Sequence, residues 1–118
     1  MIGNNIIINK SKAFAIRIIH LYKYLIDEKK EYILSKQLLR SGTSIGANIR
    51  EAHRGQSKKD FISKMNIALK EAAESEYWLE LINEAGYINS DEFKSVYMDC
   101  NELNRLLIKI VKTANNNL

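Results

Sequence analysis

The sequence predicts an all-α chain folded as an antiparallel up-down four-helix bundle. Apolar residues recur in alternating steps of three and four over four separate stretches, the spacing of one buried helix face. The 118 residues contain no proline and only five glycines, so nothing forces a break inside those stretches. Short runs rich in charge, Gly, Asn or Ser separate them, as expected of turns. One domain spanning residues 1–118 accommodates all four helices around a single core.

The first helix is expected over about 9–27, with Phe14, Ile18, Leu21 and Leu25 on its buried face. The charged run Asp27-Glu28-Lys29-Lys30-Glu31 marks the first turn. The second helix is expected over about 32–54, with a seam of Leu34, Leu38, Ser41, Ile45, Asn48 and Ala52. Gly42 and Gly46 interrupt it, each at a cost of roughly 1 kcal/mol against Ala. Gly55 should close it in a left-handed cap.

The third helix, about 58–85, has the cleanest seam: Phe61, Met65, Ala68, Ala72, Ser75, Leu79 and Ile82. Ser57 is its expected N-cap, with Asp60 as the acidic partner three residues on. Gly86 should end it, with Tyr87 making the apolar contact beyond the cap. The fourth helix, about 91–113, follows a cap at Asn89 or Ser90, with Asp91 and Glu92 at the positive end of its dipole. Its seam is Phe93, Val96, Cys100, Leu103, Leu107 and Ile110, and Asn115-Asn116-Asn117 reads as a frayed polar end.

Charge is unevenly spread. Residues 1–70 hold 14 Lys/Arg against 5 Asp/Glu, whereas 71–118 hold 4 against 9. If the halves occupy different surfaces, the molecule is electrostatically two-sided, which suits either a polyanion partner or self-assembly through complementary faces. The Lys, Ile and Asn bias of an A/T-rich genome would also produce drift of this kind. Cys100 is the only cysteine, so neither an internal disulfide nor a cysteine-based metal site is available. No stretch reaches the roughly 18 apolar residues of a membrane span. Ile6-Ile7-Ile8 is too short for a signal-peptide core. A cytoplasmic protein without a membrane partner is expected.

Two stretches carry a family resemblance: Gln37-Leu38-Leu39-Arg40-Ser41-Gly42-Thr43-Ser44-Ile45-Gly46-Ala47-Asn48-Ile49-Arg50-Glu51-Ala52 and Lys70-Glu71-Ala72-Ala73-Glu74-Ser75-Glu76-Tyr77-Trp78-Leu79-Glu80-Leu81. Together they resemble the four helix bundle protein family, which includes proteins encoded by intervening sequences within bacterial large-subunit ribosomal RNA genes. The resemblance covers nearly the whole chain. Many members carry glycine where this chain has Ala52, so close helix packing at that point is not implied. The resemblance implies a bundle that assembles into a ring-like homo-oligomer, expected to be a homopentamer, and no settled activity. A distant branch, the accessory protein of diversity-generating retroelements, works with a reverse transcriptase and binds nucleic acid.

Four groups of residues could carry chemistry. Lys36, Arg40, Arg50 and Arg54 form an outward basic stripe on the second helix, extended by Lys58 and Lys59. Three of the five arginines fall here, against the drift toward lysine, and guanidinium forks suit phosphate. RNA or DNA, ion pairing to the acidic third helix of a neighbouring subunit, and plain solvation are the three readings. No aromatic residue interleaves the stripe. Ser41, Ser44 and Asn48 form a polar seam suited to fixing register or oligomer state, and less suited to a ligand pocket.

The carboxylate pairs Glu71-x-x-Glu74 and Asp99-x-x-Glu102 echo the acidic pairs with which helical nucleotide pyrophosphohydrolases hold Mg²⁺. Glu71 and Asp99 only flank their seams, however, and Glu74 and Glu102 point outward, positions usually solvated. Glu76, Glu80 and Glu84 form a further row, solvated or docking. His20 and His53 lack a Glu three residues before them and any nucleophile partner. Cys100 reads as a buried apolar residue. Tyr77 and Trp78, beside the third seam, fit either a subunit interface or the edge of the core.

The sequence therefore predicts a non-enzymatic homo-oligomer without cofactor or metal, contacting RNA or DNA or serving a nucleic-acid enzyme as adaptor. A purely structural interaction module is the alternative, and a metal-dependent nucleotide pyrophosphohydrolase the third.

Overall fold

The computed structural model describes residues 2–116, with side chains from Ile6 onward. It contains α1 (Ile2–Asp27), α2 (Leu34–His53), α3 (Lys58–Glu84) and α4 (Ser90–Asn116), and no strand among the described residues. The body measures 47 × 21 × 20 Å. A 27-residue helix is about 40 Å long at 1.5 Å per residue, so the helices run the length of the rod.

Side-chain contacts give the directions. Arg40 of α2 meets Glu71 of α3, while Glu51, further along α2, meets Lys64, earlier on α3. The same inversion holds between α3 and α4, where Glu76 meets Asn101 and Glu80 meets Tyr97. Lys10 and Arg17 of α1 meet Glu102 and Asp99 of α4 in inverted order too. Neighbours are therefore antiparallel, diagonal helices stay apart, and α1 and α4 meet least closely.

The seams became the core, with corrections at their ends. Phe14, Ile18, Leu21 and Leu25 are buried as expected, but Ile7 and Ser11 continue the stripe. That extra apolar turn is why α1 begins at Ile2 and not near Asn9. Val111 and Ala114 similarly carry α4 to Asn116, so Asn115 and Asn116 are helical; Asn117 lies outside the described residues. In α2 the core position after Ile45 is Ile49, which is fully buried, and Asn48 is only half-buried. Leu34, Phe61, Phe93 and Ile110, the outer ends of the expected seams, are also half-buried.

Gly42 has a packing reason. A Cβ there would stand 3.0 Å from two side-chain carbons of Ile18. The glycine lets α1 and α2 approach over a fully buried isoleucine, offsetting the helix-propensity cost.

Three of the four expected caps, at Ser57, Gly86 and Asn89, form as the sequence predicts, and the one at Gly55 does not. Ser57 Oγ accepts the Asp60 N–H at 3.1 Å, capping α3. At the other end Gly86 is left-handed with φ 86°, and the Tyr87 N–H closes onto the Ile82 carbonyl at 3.0 Å. Gly55, expected in a left-handed cap, is not left-handed. Arg54, at φ −102°, is the cap residue, and Gly55 serves close approach: a Cβ there would lie 3.2 Å from both Ala52 O and Asp60 Cβ. Asn89 Oδ1 caps α4 by accepting the Glu92 N–H at 2.8 Å.

The first turn hides a device the sequence did not reveal. Ile33 stands at the N-cap position of α2 and offers no side-chain acceptor. Glu31 replaces it. Its carboxylate accepts the N–H groups of Ile33, Leu34 and Ser35 at 3.0, 2.8 and 2.7 Å. Lys30, left-handed at φ 53°, turns the chain just before Glu31, whose carboxylate reaches forward to the start of α2. Burial opposes ionisation of Glu31, but the hydrogen bonds from Leu34, Ser35 and Ile33 outweigh it and hold the carboxyl below its ordinary 4.5.

A carboxyl lowered on folding stabilises the fold above its ordinary pKa and loses that contribution as pH falls through the folded value. Glu31→Gln should therefore cost about 1–2 kcal/mol near neutral pH. Urea unfolding at a series of pH values should show this difference shrinking below about pH 4. A pH-independent difference would contradict the charged cap.

Candidate nucleic-acid interface

The outer face of α2 contains Lys36, Arg40, Arg50 and Arg54, all exposed as their spacing requires. They do not form one equivalent stripe. Arg40 Nη1 donates to Glu71 Oε2 at 2.9 Å, and Nη2 bonds Glu74 Oε1. Both acids belong to α3 of the same chain. Glu71, expected to be solvated, is 8% exposed. One guanidinium thus answers two carboxylates, and Glu74 also accepts the Trp78 indole N–H at 3.3 Å.

Beneath this cluster, Ser41 and Ser75 are fully buried with their hydroxyls 2.9 Å apart, and Ser75 also bonds the Glu71 carbonyl at 2.9 Å. Ser41 therefore joins α2 to α3 within the protomer. Ser44 and Asn48 are half-buried and satisfy themselves locally, Ser44 on the Arg40 carbonyl and Asn48 on the Ser44 carbonyl. Of the aromatic pair, Trp78 is half-buried against the core and Tyr77 is exposed, with the rings 5.3 Å apart.

Arg50, Arg54 and Lys59 are different. They are exposed and have no carboxylate partner among the described residues. Lys58, also exposed, begins α3 beside them. Lys36 is likewise unpaired but stands about 27 Å from Arg54 along the axis at 1.5 Å per residue. A cleft of about 300 Å³ beside the turn is lined by Glu51, Arg54, Gln56, Asp60, Ser63 and Lys64, with cations and carboxylates balanced.

The antiparallel fold redistributes the charge of the sequence. Because α4 runs opposite to α3, its C-terminal half returns to the level where α3 begins. Residues 46–64 and 103–116 thus share one end of the rod. They hold eight Lys/Arg, three of them Arg105, Lys109 and Lys112 of α4, against Glu51 and Asp60. Polarity runs end to end, not first half against second half. The three α4 cations escaped the sequence reading because they lie in the acidic half of the chain.

The other candidates are absorbed by packing. Asp99 accepts from Arg17 Nη1 at 2.8 Å, and Glu102 from Lys10 at 3.2 Å. Glu80 accepts the Tyr97 hydroxyl at 2.9 Å, and Glu76 the Asn101 amide at 3.1 Å. Burial, the Glu80 hydrogen bond and the nearby acidic charges push the Tyr97 phenol up to about 12. Burial, then Glu76 and Asp99, push the Cys100 thiol up as well, and its Sγ faces the Ala72 carbonyl.

His53 Nδ1 lies 2.8 Å from the Ile49 carbonyl and so carries the proton. Its Nε2 is buried without a partner, and the ring meets Phe61 edge-on. His20 lines an open groove of about 500 Å³ between α1 and α4, beside an Arg17 already committed to Ser95 and Asp99. Among the described residues no three or more His, Cys, Asp or Glu are placed to hold a metal ion. No described helix is long and apolar enough to cross a membrane.

This fold and its α2 motif have relatives. Residues 3–109 match the model of the 23S rRNA-intervening sequence protein family. A solved structure of a protein of unknown function from the S23 ribosomal protein family of Bacteroides thetaiotaomicron VPI-5482 is 56% identical, with a TM-score of 0.92. The match covers 93% of this chain and 98% of that one. No curated protein matches the chain. With nearly its full length matched, the chain belongs to the 23S rRNA-intervening sequence protein family.

Proposed function

We propose that the protein is a non-enzymatic, self-assembling helical bundle of the cytoplasm that binds RNA or DNA and serves as an adaptor for a nucleic-acid enzyme. One observation carries the nucleic-acid reading. Arg50, Arg54 and Lys59 project from the α2–α3 junction without carboxylate partners among the described residues, although the same α3 supplies two carboxylates to Arg40. Unneutralised arginines on a rigid helix end suit phosphate oxygens, and each contact formed releases condensed counterions. The commitment of Glu71, Glu74, Asp99 and Glu102 to Arg40, Arg17 and Lys10 supports a role without metal-dependent hydrolysis.

A second observation favours assembly. No carboxylate occurs before Asp27 or between Leu34 and Arg50, so α1 up to Ile26 and α2 ahead of the α2–α3 junction offer only cations and neutral groups outward. Among them Ile16 and Ile19 are 46% and 36% exposed. Beyond Lys70, the exposed side of α3 offers Tyr77 and Glu84, seven residues apart on one face. Basic-apolar and acidic-apolar faces on one protomer fit a heterologous contact, which closes into a ring when its rotation divides the circle. A homopentamer is the ring proposed.

Fluorescence anisotropy with labelled RNA and DNA at several salt concentrations tests the first reading. Wild-type binding should weaken with salt, and Arg50→Ala with Arg54→Ala should reduce the log–log slope by about two. Unchanged binding by this variant would remove the α2–α3 junction from the interface. For the second reading, light scattering should give five times the protomer mass, and Ile16→Glu should lower it. A wild-type monomer would overturn the assembly.

A further inference from the structure

We infer that the polyanion is a double helix, gripped through its backbone across the whole basic end of the bundle, with Lys109 and Lys112 of α4 as contact residues equal in weight to Arg50 and Arg54. This rests on the nucleic-acid reading above and extends it to a substrate class and to residues on a second helix.

The geometry begins with the diagonal placement of α2 and α4. Arg50 and Arg54 lie at one corner of the end and Lys109 and Lys112 toward the opposite corner, with Lys59 at the start of α3 between them. All five are exposed and lack a carboxylate partner among the described residues. The rod is 21 by 20 Å in cross-section. A duplex presents roughly a dozen phosphate charges over 20 Å of its axis, enough to meet cations on both corners at once. A single strand follows one groove, and cations set around an end do not make one.

The aromatic residues point the same way. Single-strand binding relies on exposed rings on which bases stack. Among the described residues the exposed Tyr, Trp and Phe side chains are Tyr24, Tyr32 and Tyr77. Tyr24 and Tyr32 flank the α1–α2 turn at the far end, and Tyr77 lies in the second half of α3. Phe61, in the first turn of α3 at the basic end, is half-buried against the core and the His53 ring. Cations without a stacking platform read charge and shape, so binding should be indifferent to sequence.

The test compares a short duplex, a scrambled duplex and the matching single strand, by anisotropy over a salt series. Proteins are the wild type, Arg50→Ala/Arg54→Ala, Lys109→Ala/Lys112→Ala, and Lys29→Ala/Lys30→Ala from the far turn, each checked for an unchanged thermal melt. Both duplexes should bind alike and more tightly than the single strand. The α4 pair should lower the salt slope by about two, as the α2 pair does, and the far pair should leave it alone. Loss confined to the α2 pair, equal loss on the far pair, or tighter binding of the single strand would overturn the inference while leaving the nucleic-acid reading in place. No binding by the wild type, or binding that neither the α2 nor the α4 pair weakens, would overturn both.

Discussion

Arg40, held between Glu71 and Glu74 above the buried Ser41–Ser75 contact, fastens α2 to α3 and sets the rotation of α2. The rest of the candidate site depends on that rotation. A helix presents a given face only if its seam is fixed, and the α2 seam is weak in apolar side chains. Ser35, Ser41 and Gly42 occupy buried positions where larger residues would otherwise lock the packing. Hydrogen bonds and a shared guanidinium supply the specificity that apolar volume does not. Once α2 is held in this way, Ile45, Ile49 and Ala52 turn inward, and Arg50 and Arg54 must face solvent.

Burial makes the fastening asymmetric. Arg40 keeps about half its side-chain surface, whereas the Glu71 side chain is 11% exposed. The salt bridge itself is worth little where solvent reaches it. Its weight comes from Glu71: without the guanidinium a carboxylate would be left nearly buried beside Glu74, at a cost of about 1–3 kcal/mol. The arginines of α2 thus divide by neighbourhood. Where α3 offers acids the arginine is structural, and where α3 begins with Lys58 and Lys59 the arginines stay available.

The helices, their order and most of the core were legible because a period of three and four leaves little freedom about which side faces in. Its failures have local causes. Asn48 fitted the spacing, but Ile49 gained more by burial, so the seam steps by four there. Gly55 carried a left-handed signal, yet what the site requires is room beside Asp60. Glu31 looked like one charge in a polar run, because a carboxylate reaching forward to three amides is invisible without the fold. The basic stripe was half legible. Exposure followed from periodicity, but the capture of Arg40 and the arrival of Lys109 and Lys112 at the same end depend on contacts between helices distant in sequence.

The division of the α2 arginines is tested most directly by a paired measurement on Arg40→Ala and Arg50→Ala: thermal stability, and affinity for a nucleic-acid duplex per folded molecule. The account predicts that Arg40→Ala lowers the melting temperature by several degrees and leaves affinity at the wild-type value. Arg50→Ala should do the reverse. If Arg40→Ala weakened binding while leaving the melting temperature unchanged, Arg40 would belong to the interface, and the fastening of α2 to α3 would have to be sought elsewhere.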